Sequence, residues 1–379
     1  MTTTGPLNTP AVTTEPALAH RPDHRGSWVP NGAMITTRIM ELRKRRGMMA
    51  ALIAVNIGLP AAFLIFRLLA HAFDPHTYGP AGGYDIFNNM VSGVMYIFGF
   101  IVAALVGCTA GAADLTEGMF RHLVVTGRSR LALYFARIPA GLAIVLPIVA
   151  IGFTFVCLVC TFAAPSELNY DGMNVPAGLN LTQFEHFAAQ HPADVDCYFP
   201  FNGNVQVNIQ CGPNGPILKQ SPGAPPLSTH SQLVAAAVQI ASQNYGDYRQ
   251  QFLAPPVSVM IESGLWISLE AVLGFVIGLG LASLLGQRTL AVVLMIVLEV
   301  ILTPILSRHA IPHLINLQRA VVGLAMIHVR PLALPPPFGG NSGPNEYVAM
   351  STTAAICVIV AWIVGWTAIG AWRMATRDA

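Results

Sequence analysis

The stretch GAADLTEGMFRHLVVTGRSR, Gly111 to Arg130, separates two long apolar runs and carries Asp114, Glu117, Arg121, His122, Arg128 and Arg130 within its twenty residues. Only 10% of the 379 residues in the whole chain are charged. Charge gathered between two apolar runs is what a loop between membrane spans looks like, because charged groups are excluded from the bilayer core. Several runs reach the roughly 20 apolar residues that a crossing helix needs. With 54% hydrophobic residues and a mean hydropathy of +0.56, the chain is too apolar for an ordinary soluble domain. The fold class is therefore all-α, a polytopic membrane protein with six transmembrane helices and a mixed, loop-rich extracytoplasmic insert.

The six spans are expected near 48–73, 89–109, 131–164, 257–285, 290–306 and 348–372. Pro139 and Pro147 are expected to kink the third. Ahead of the first span, residues 1–33 are rich in Thr and Pro, lack the apolar core of a secretory signal, and read as a disordered cytoplasmic tail. Residues 34–164 then hold an amphipathic entry segment and spans 1 to 3. Residues 165–255 form the extracytoplasmic domain, and 256–379 hold spans 4 to 6.

Sidedness follows from the basic residues. Arg43, Lys44, Arg45 and Arg46 precede span 1; Arg121, Arg128 and Arg130 lie between spans 2 and 3; Arg288 lies between spans 4 and 5; Arg373 and Arg377 follow span 6. Six spans put all four segments on one side, taken as the cytoplasm, with both termini there and the chain multi-pass in the cell membrane. The insert, with six acidic and two basic residues over 165–255, falls outside. The segment between spans 5 and 6 breaks the charge trend. Its stretch HAIPHLINLQRAVVGLAMIHV (309–329) is helix-compatible and moderately apolar. It is open to three readings: re-entrant, interfacial, or a seventh span. Only Lys44 and Lys219 among the 20 basic residues are lysines, an arginine bias that suggests a bacterial source.

Cys108, Cys157, Cys160 and Cys357 fall in expected spans, where cysteine acts as a small apolar residue. Cys197 and Cys211 share the insert, where an oxidising compartment permits a disulfide between them. The sequon Asn180-Leu181-Thr182 is read as chance.

Polar groups inside spans are the main candidates for function. Glu262 and Glu270 fall in span 4, Glu299 in span 5, and Arg67 near the outer end of span 1, within reach of pairing with Glu262. These acids admit structural pairing or protonation, a substrate path or gate, or a proton relay. Span 2 carries Gly99, Ala103, Gly107 and Gly111 at four-residue spacing, and span 4 carries Gly274 and Gly278. Such stripes let helices approach closely, within one chain or between two. No metal site is expected. His309 and His313 are interrupted by Pro312, and His186, His191, Asp194 and Asp196 read as a polar loop.

The charged loop has internal order. Asp114 and Glu117 suit a helix N-terminus and Gly127 a helix stop, giving a short helix at 112–127 under the bilayer. Glu117-Gly118, followed by Gly127-Arg128-Ser129-Arg130, resembles the coupling helix of the membrane subunit of type-2 ABC exporters, though Met119 stands where that family often has Thr. The entry segment MITTRIMELRKRRGMM (34–49), the six spans, the 309–329 segment and the basic end AWRMATRDA (371–379) fit the same family. The resemblance covers about 34–163 and 256–379; the insert is larger than in many members. It implies a permease subunit that forms the translocation path and couples to a separate ATPase through Asp114, Glu117, Gly118, Arg121, Gly127, Arg128 and Arg130. Lys44 and Lys219 do not sit in the G-x-x-x-x-G-K-[ST] setting that cradles phosphates, so ATP and Mg would be bound by the partner, with no cofactor in this chain. The implied partners are a P-loop ATPase subunit, a second copy or similar permease, and membrane lipid, with no nucleic acid. The alternative is an intramembrane enzyme, or a sensor or scaffold with an outer ligand-binding domain.

Overall fold

The computed structural model describes residues 29–73, 81–116, 129–164, 167–170, 173–176, 178–191, 207–210, 217–220, 230–252, 254–308, 311–335, 337 and 348–376. Six helical stretches are long and apolar enough to cross a membrane: Arg46–Phe73, Tyr84–Ala113, Arg130–Phe162, Val257–Leu285, Arg288–Leu306 and Thr352–Thr376. They are called spans 1 to 6 below.

Spans 2 and 4 form the centre. Of their apolar stretches 67% and 72% are buried, against 22% to 28% in the other four. The outer spans present Phe66, Leu158, Val300 and Val364 outward, as a lipid-facing surface requires. Close approach of the two central helices depends on the small-residue stripes. A Cβ on Gly107 would overlap the Phe275 carbonyl, one on Gly111 would lie 2.6 Å from the Leu279 oxygen, and one on Gly278 would lie 2.5 Å from the Ala104 oxygen. Gly274 meets the Phe100 carbonyl in the same way. These pairings advance together along both chains, so spans 2 and 4 run parallel. The stripes serve packing within this chain.

Span 4 starts after Pro256 and stops at Gly286, whose φ of 70° is a left-handed cap that costs glycine little. Span 3 runs as one helix through both Pro139 and Pro147. Span 2 is longer than hydropathy suggested. It starts at Tyr84, and Tyr84 and Asn88 are buried with Ile86 and Phe87 despite their polarity. At its other end the helix continues to Thr116. Residues 112–116, Asp114 among them, thus extend span 2 and do not begin a separate helix; nothing between Gly111 and Thr116 breaks the turn. Glu117, Gly118, Arg121, Gly127 and Arg128 lie outside the described residues, as does most of the 1–33 tail.

An entry helix, Gly32–Lys44, precedes span 1. Asn31 caps it by accepting from the Met34 amide at 3.0 Å. Met34 and Ile35 pack against Ala132, Leu133 and Ala136 at the start of span 3. Arg130 Nη1 donates to the Ala375 carbonyl at the end of span 6 at 3.2 Å. The described basic segments therefore meet at one end of the bundle.

Between spans 5 and 6 the expected helix over 309–329 is broken in two, Ile315–Arg319 and Val322–His328. Each is too short to cross a bilayer. The residues Val322 to Ile327 are all buried, so the second helix is not a surface element with a polar outer face and the segment is not a seventh span. A broken helix inside a bundle leaves carbonyls that must find donors. Trp362 Nε1 donates to Ala320 O at 2.8 Å and Trp266 Nε1 to Met326 O at 3.0 Å, and Gln318 Nε2 ties the first short helix back to Leu306 O of span 5 at 2.8 Å.

The segment between spans 3 and 4 contains two hairpins, Glu167–Tyr170 with Met173–Pro176 and Val207–Gln210 with Ile217–Gln220. It also contains helices Leu181–Gln190 and His230–Phe252. The shorter helix was not foreseen. Asn180 accepts from the Gln183 amide at 2.8 Å and Gln183 Oε1 accepts from the Asn180 amide at 3.0 Å, a capping box that uses the first residue of the chance sequon. Phe184 stacks on Tyr248, with centroids 4.2 Å apart, and joins the two helices. Cys197 and Cys211 lie outside the described residues. Cys108, Cys157, Cys160 and Cys357 are free thiols within the spans.

Candidate functional site

Three spans contain a π-helical segment, one widened turn in an otherwise α-helical rod: Ala54–Gly58 in span 1, Met90–Met95 in span 2 and Val297–Leu302 in span 5. Each carries a buried polar residue: Asn56 at 3% exposure, Ser92 at 3% and Glu299 at 0%. Two of the three lie just before a proline, Pro60 and Pro304. Proline lacks the amide for the carbonyl four residues earlier and its ring crowds that carbonyl, so the helix ahead of it widens. Polar side chains and a close glycine contact gather at the carbonyls around these wide turns. Thr303 Oγ1 donates to Leu298 O at 3.0 Å, Asn56 Nδ2 donates to Leu52 O at 3.0 Å, and Gly152 of span 3 packs directly on the Asn56 carbonyl.

The widened turn in span 5 swings Glu299 into the bundle, where it meets Glu270 of span 4 at 1% exposure. The two carboxyls are close enough for the charge of one to act on the other. Thr303 Oγ1 also lies 3.4 Å from Glu299 Oε2. A hydroxyl has one hydrogen, and here the nearer Leu298 carbonyl takes it. The same oxygen is then free to accept from a protonated Glu299. Glu299 Oε1 and both Glu270 oxygens have no hydrogen-bond partner among the described residues.

Tyr96 of span 2 reaches Glu299 and stacks on Trp266, one turn before Glu270, with centroids 4.8 Å apart and planes 9° apart. Thr303 packs tightly on Gly323 of the short helix Val322–His328. Spans 2, 4 and 5 and that helix thus close around the carboxyl pair. Sequence reading found Glu270 and Glu299 but not their partners Tyr96, Trp266 and Thr303. A proline five residues after Glu299 was the available signal for the inward turn.

The other sequence candidates fall elsewhere. Glu262 is exposed on span 4 and Arg67 is half-buried on span 1. The ion pairs among the described residues, Arg38–Glu41 at 2.6 Å and Arg45–Glu41 at 3.7 Å, belong to the entry helix and do not join Arg67 to Glu262. Arg130 lies at the basic end, bonded to span 6 as given above. Arg137, outside the sequence candidates, is the largest fully buried side chain; its Nη1 donates to Gly111 O at 3.2 Å, tying span 3 to the end of span 2. No group of three His, Cys, Asp or Glu side chains gathers as a metal site would require among the described residues.

These features define a six-span helical membrane protein with a buried carboxyl pair. No family model matches the chain, and no curated protein or solved structure matches it.

Proposed function

We propose that the chain is the permease subunit of an ATP-driven ABC exporter. It would form the translocation path with a second copy or a similar subunit and take its energy from a separate P-loop ATPase. The observation that carries this reading is the packing of the entry helix on the first turns of span 3. Met34 and Ile35 sit on Ala132, Leu133 and Ala136, at the same end as the last turn of span 2. The acidic-glycine and Gly-Arg-Ser-Arg motif of 117–130 connects those two helix ends, so a segment docked there could push on both. The basic segments gathered at this end favour a cytoplasmic placement for it, with the 165–255 insert outside.

An ATPase docked on the loop would bias the bundle only through contacts that differ between its two states. The test is to purify the tagged protein in mild detergent and identify what accompanies it. A P-loop ATPase at equal stoichiometry, lost on Glu117→Arg with insertion intact, supports the reading. An undisturbed partner and undisturbed transport in Glu117→Arg would sink it.

A second reading, an intramembrane enzyme, is favoured by the Glu270–Glu299 pair, since neighbouring carboxyls are a common acid–base arrangement. It requires ATP-independent turnover that Glu270→Gln abolishes.

A further inference from the structure

The carboxyl pair has a consequence that does not depend on ATP. Glu270 and Glu299 are 1% and 0% exposed, and three of their four oxygens have no hydrogen-bond partner among the described residues. Two ionised carboxylates buried together are strongly unfavourable without a positive charge between them. Among the described residues, no Arg, Lys or His is shown acting on either carboxyl. Span 3 from Ile138 to Phe162 and span 6 from Thr352 to Trp372 contain no Asp, Glu, His, Lys, Arg or Tyr. Span 2 brings Tyr96, which is no base at neutral pH. Arg67 and His71 of span 1 have interactions of their own, and His328 Nδ1 is engaged by Leu324 O at 2.9 Å. A hard metal cation takes about six or more oxygens. The pair itself offers four carboxyl oxygens, short of that number. A proton needs no such shell.

A line of buried polar groups leads to the pair. Ser263 Oγ, Ser92 Oγ and Asn88 Oδ1 are 0%, 3% and 8% exposed by residue, and none has a hydrogen-bond partner among the described residues. Spans 2 and 4 run parallel. The register set by Tyr96 on Trp266 and by Phe100 on Gly274 puts Ser92 near the level of Ser263. Both lie about two turns or less from the pair, toward the end of the bundle that carries the insert. Buried polar groups without protein partners are what internal water satisfies.

We propose that Glu270 and Glu299 form a proton-binding site inside the bundle, reached from the insert end along the line of Asn88, Ser92 and Ser263. One proton from bulk water neutralises one carboxylate of the pair and leaves a single negative charge between them.

Dicyclohexylcarbodiimide tests this, because it is apolar and attacks protonated carboxyls within membranes. The full-length protein in liposomes is treated across a pH series and the adduct located by mass spectrometry. The expected result is an adduct on Glu270 or Glu299 that is lost as pH rises. Glu299→Gln, close in shape to the native residue, should move the pH profile of labelling at Glu270, and Glu262→Gln should leave it in place. No adduct at any pH, a profile indifferent to pH or to Glu299→Gln, or protection by sodium at fixed pH would each overturn the proposal. The labelling needs neither ATP nor an ATPase, so its failure leaves the permease reading intact.

Discussion

The ring of Tyr96 lies flat on the indole of Trp266, with centroids 4.8 Å apart and planes 9° apart. The stack fixes the register of the two central spans. Trp266 also donates to Met326 O at 3.0 Å and so holds the short helix Val322–His328 against them. Removing it leaves a cavity and a carbonyl without its donor. Trp266→Ala should cost about 3–5 kcal/mol, and Trp266→Phe, which keeps the stack but not the bond, about 1–3 kcal/mol. Thermal unfolding in detergent should rank the two in that order; equal losses would count against the bond.

Glycines of the central pair should be intolerant where they meet backbone and tolerant where they do not. Gly278 faces the Ala104 carbonyl, where a Cβ would lie at 2.5 Å, but Gly365 of span 6 has nothing within 4 Å of such a Cβ. Gly278→Leu should therefore prevent recovery of folded protein, because backbone cannot move aside cheaply. Gly365→Leu should yield monodisperse protein by size exclusion. Similar yields of both would contradict the packing of spans 2 and 4.

Tyr248 clasps the insert. Its hydroxyl donates to Pro176 O at 2.5 Å and accepts from the Leu179 amide at 3.1 Å, with its ring on Phe184. Burial raises its pKa above the usual 10.0; the bond to Leu179 opposes this and the nearby Tyr245 adds to it. A phenol whose folded pKa is raised contributes stability that is fully present below the ordinary tyrosine value. That stability is lost as pH rises through the higher folded value. The insert should thus loosen in alkaline solution, above the ordinary tyrosine range, as read by phenolate absorbance together with protease sensitivity. Tyr248→Phe should cost about 1–3 kcal/mol and remove that alkaline transition.

Arg137 should matter more than its place beside the loop suggests. It is 2% exposed and binds Gly111 O where span 2 ends. Arg137→Met keeps most of the volume and removes a charged donor, at a cost of about 1.5–3 kcal/mol. Unfolding measurements should find that loss. A neutral result would mean that the bond adds nothing to the span 2–span 3 junction.

The spans were legible because a crossing helix is specified by a length of apolar residues, a local property. Span 4 was legible to the residue, with Pro256 at its start and Gly286 at its stop. Span 2 was underestimated because Asp85, Asn88 and Asn89 are polar by residue type, although Asn88 is buried by tertiary packing together with Tyr84, Ile86 and Phe87. The break between Arg319 and Val322 was not legible, since the Ala320 carbonyl inside it is satisfied from afar by Trp362 of span 6. The helix over 181–190 was missed because its start depends on the reciprocal bonds of Asn180 and Gln183, a cap that was not sought there. At the site, Glu270 and Glu299 were visible as acids in apolar runs. That they meet depends on a widened turn ahead of Pro304, a geometric effect that composition does not report.

The most direct test of the permease account is a photo-crosslinking amino acid placed at position 117 in living cells, followed by identification of what it captures. The account predicts a P-loop ATPase as the major adduct, with the same probe in the insert, at position 185, capturing none. Capture of lipid alone at 117, or of the ATPase from position 185, would contradict it.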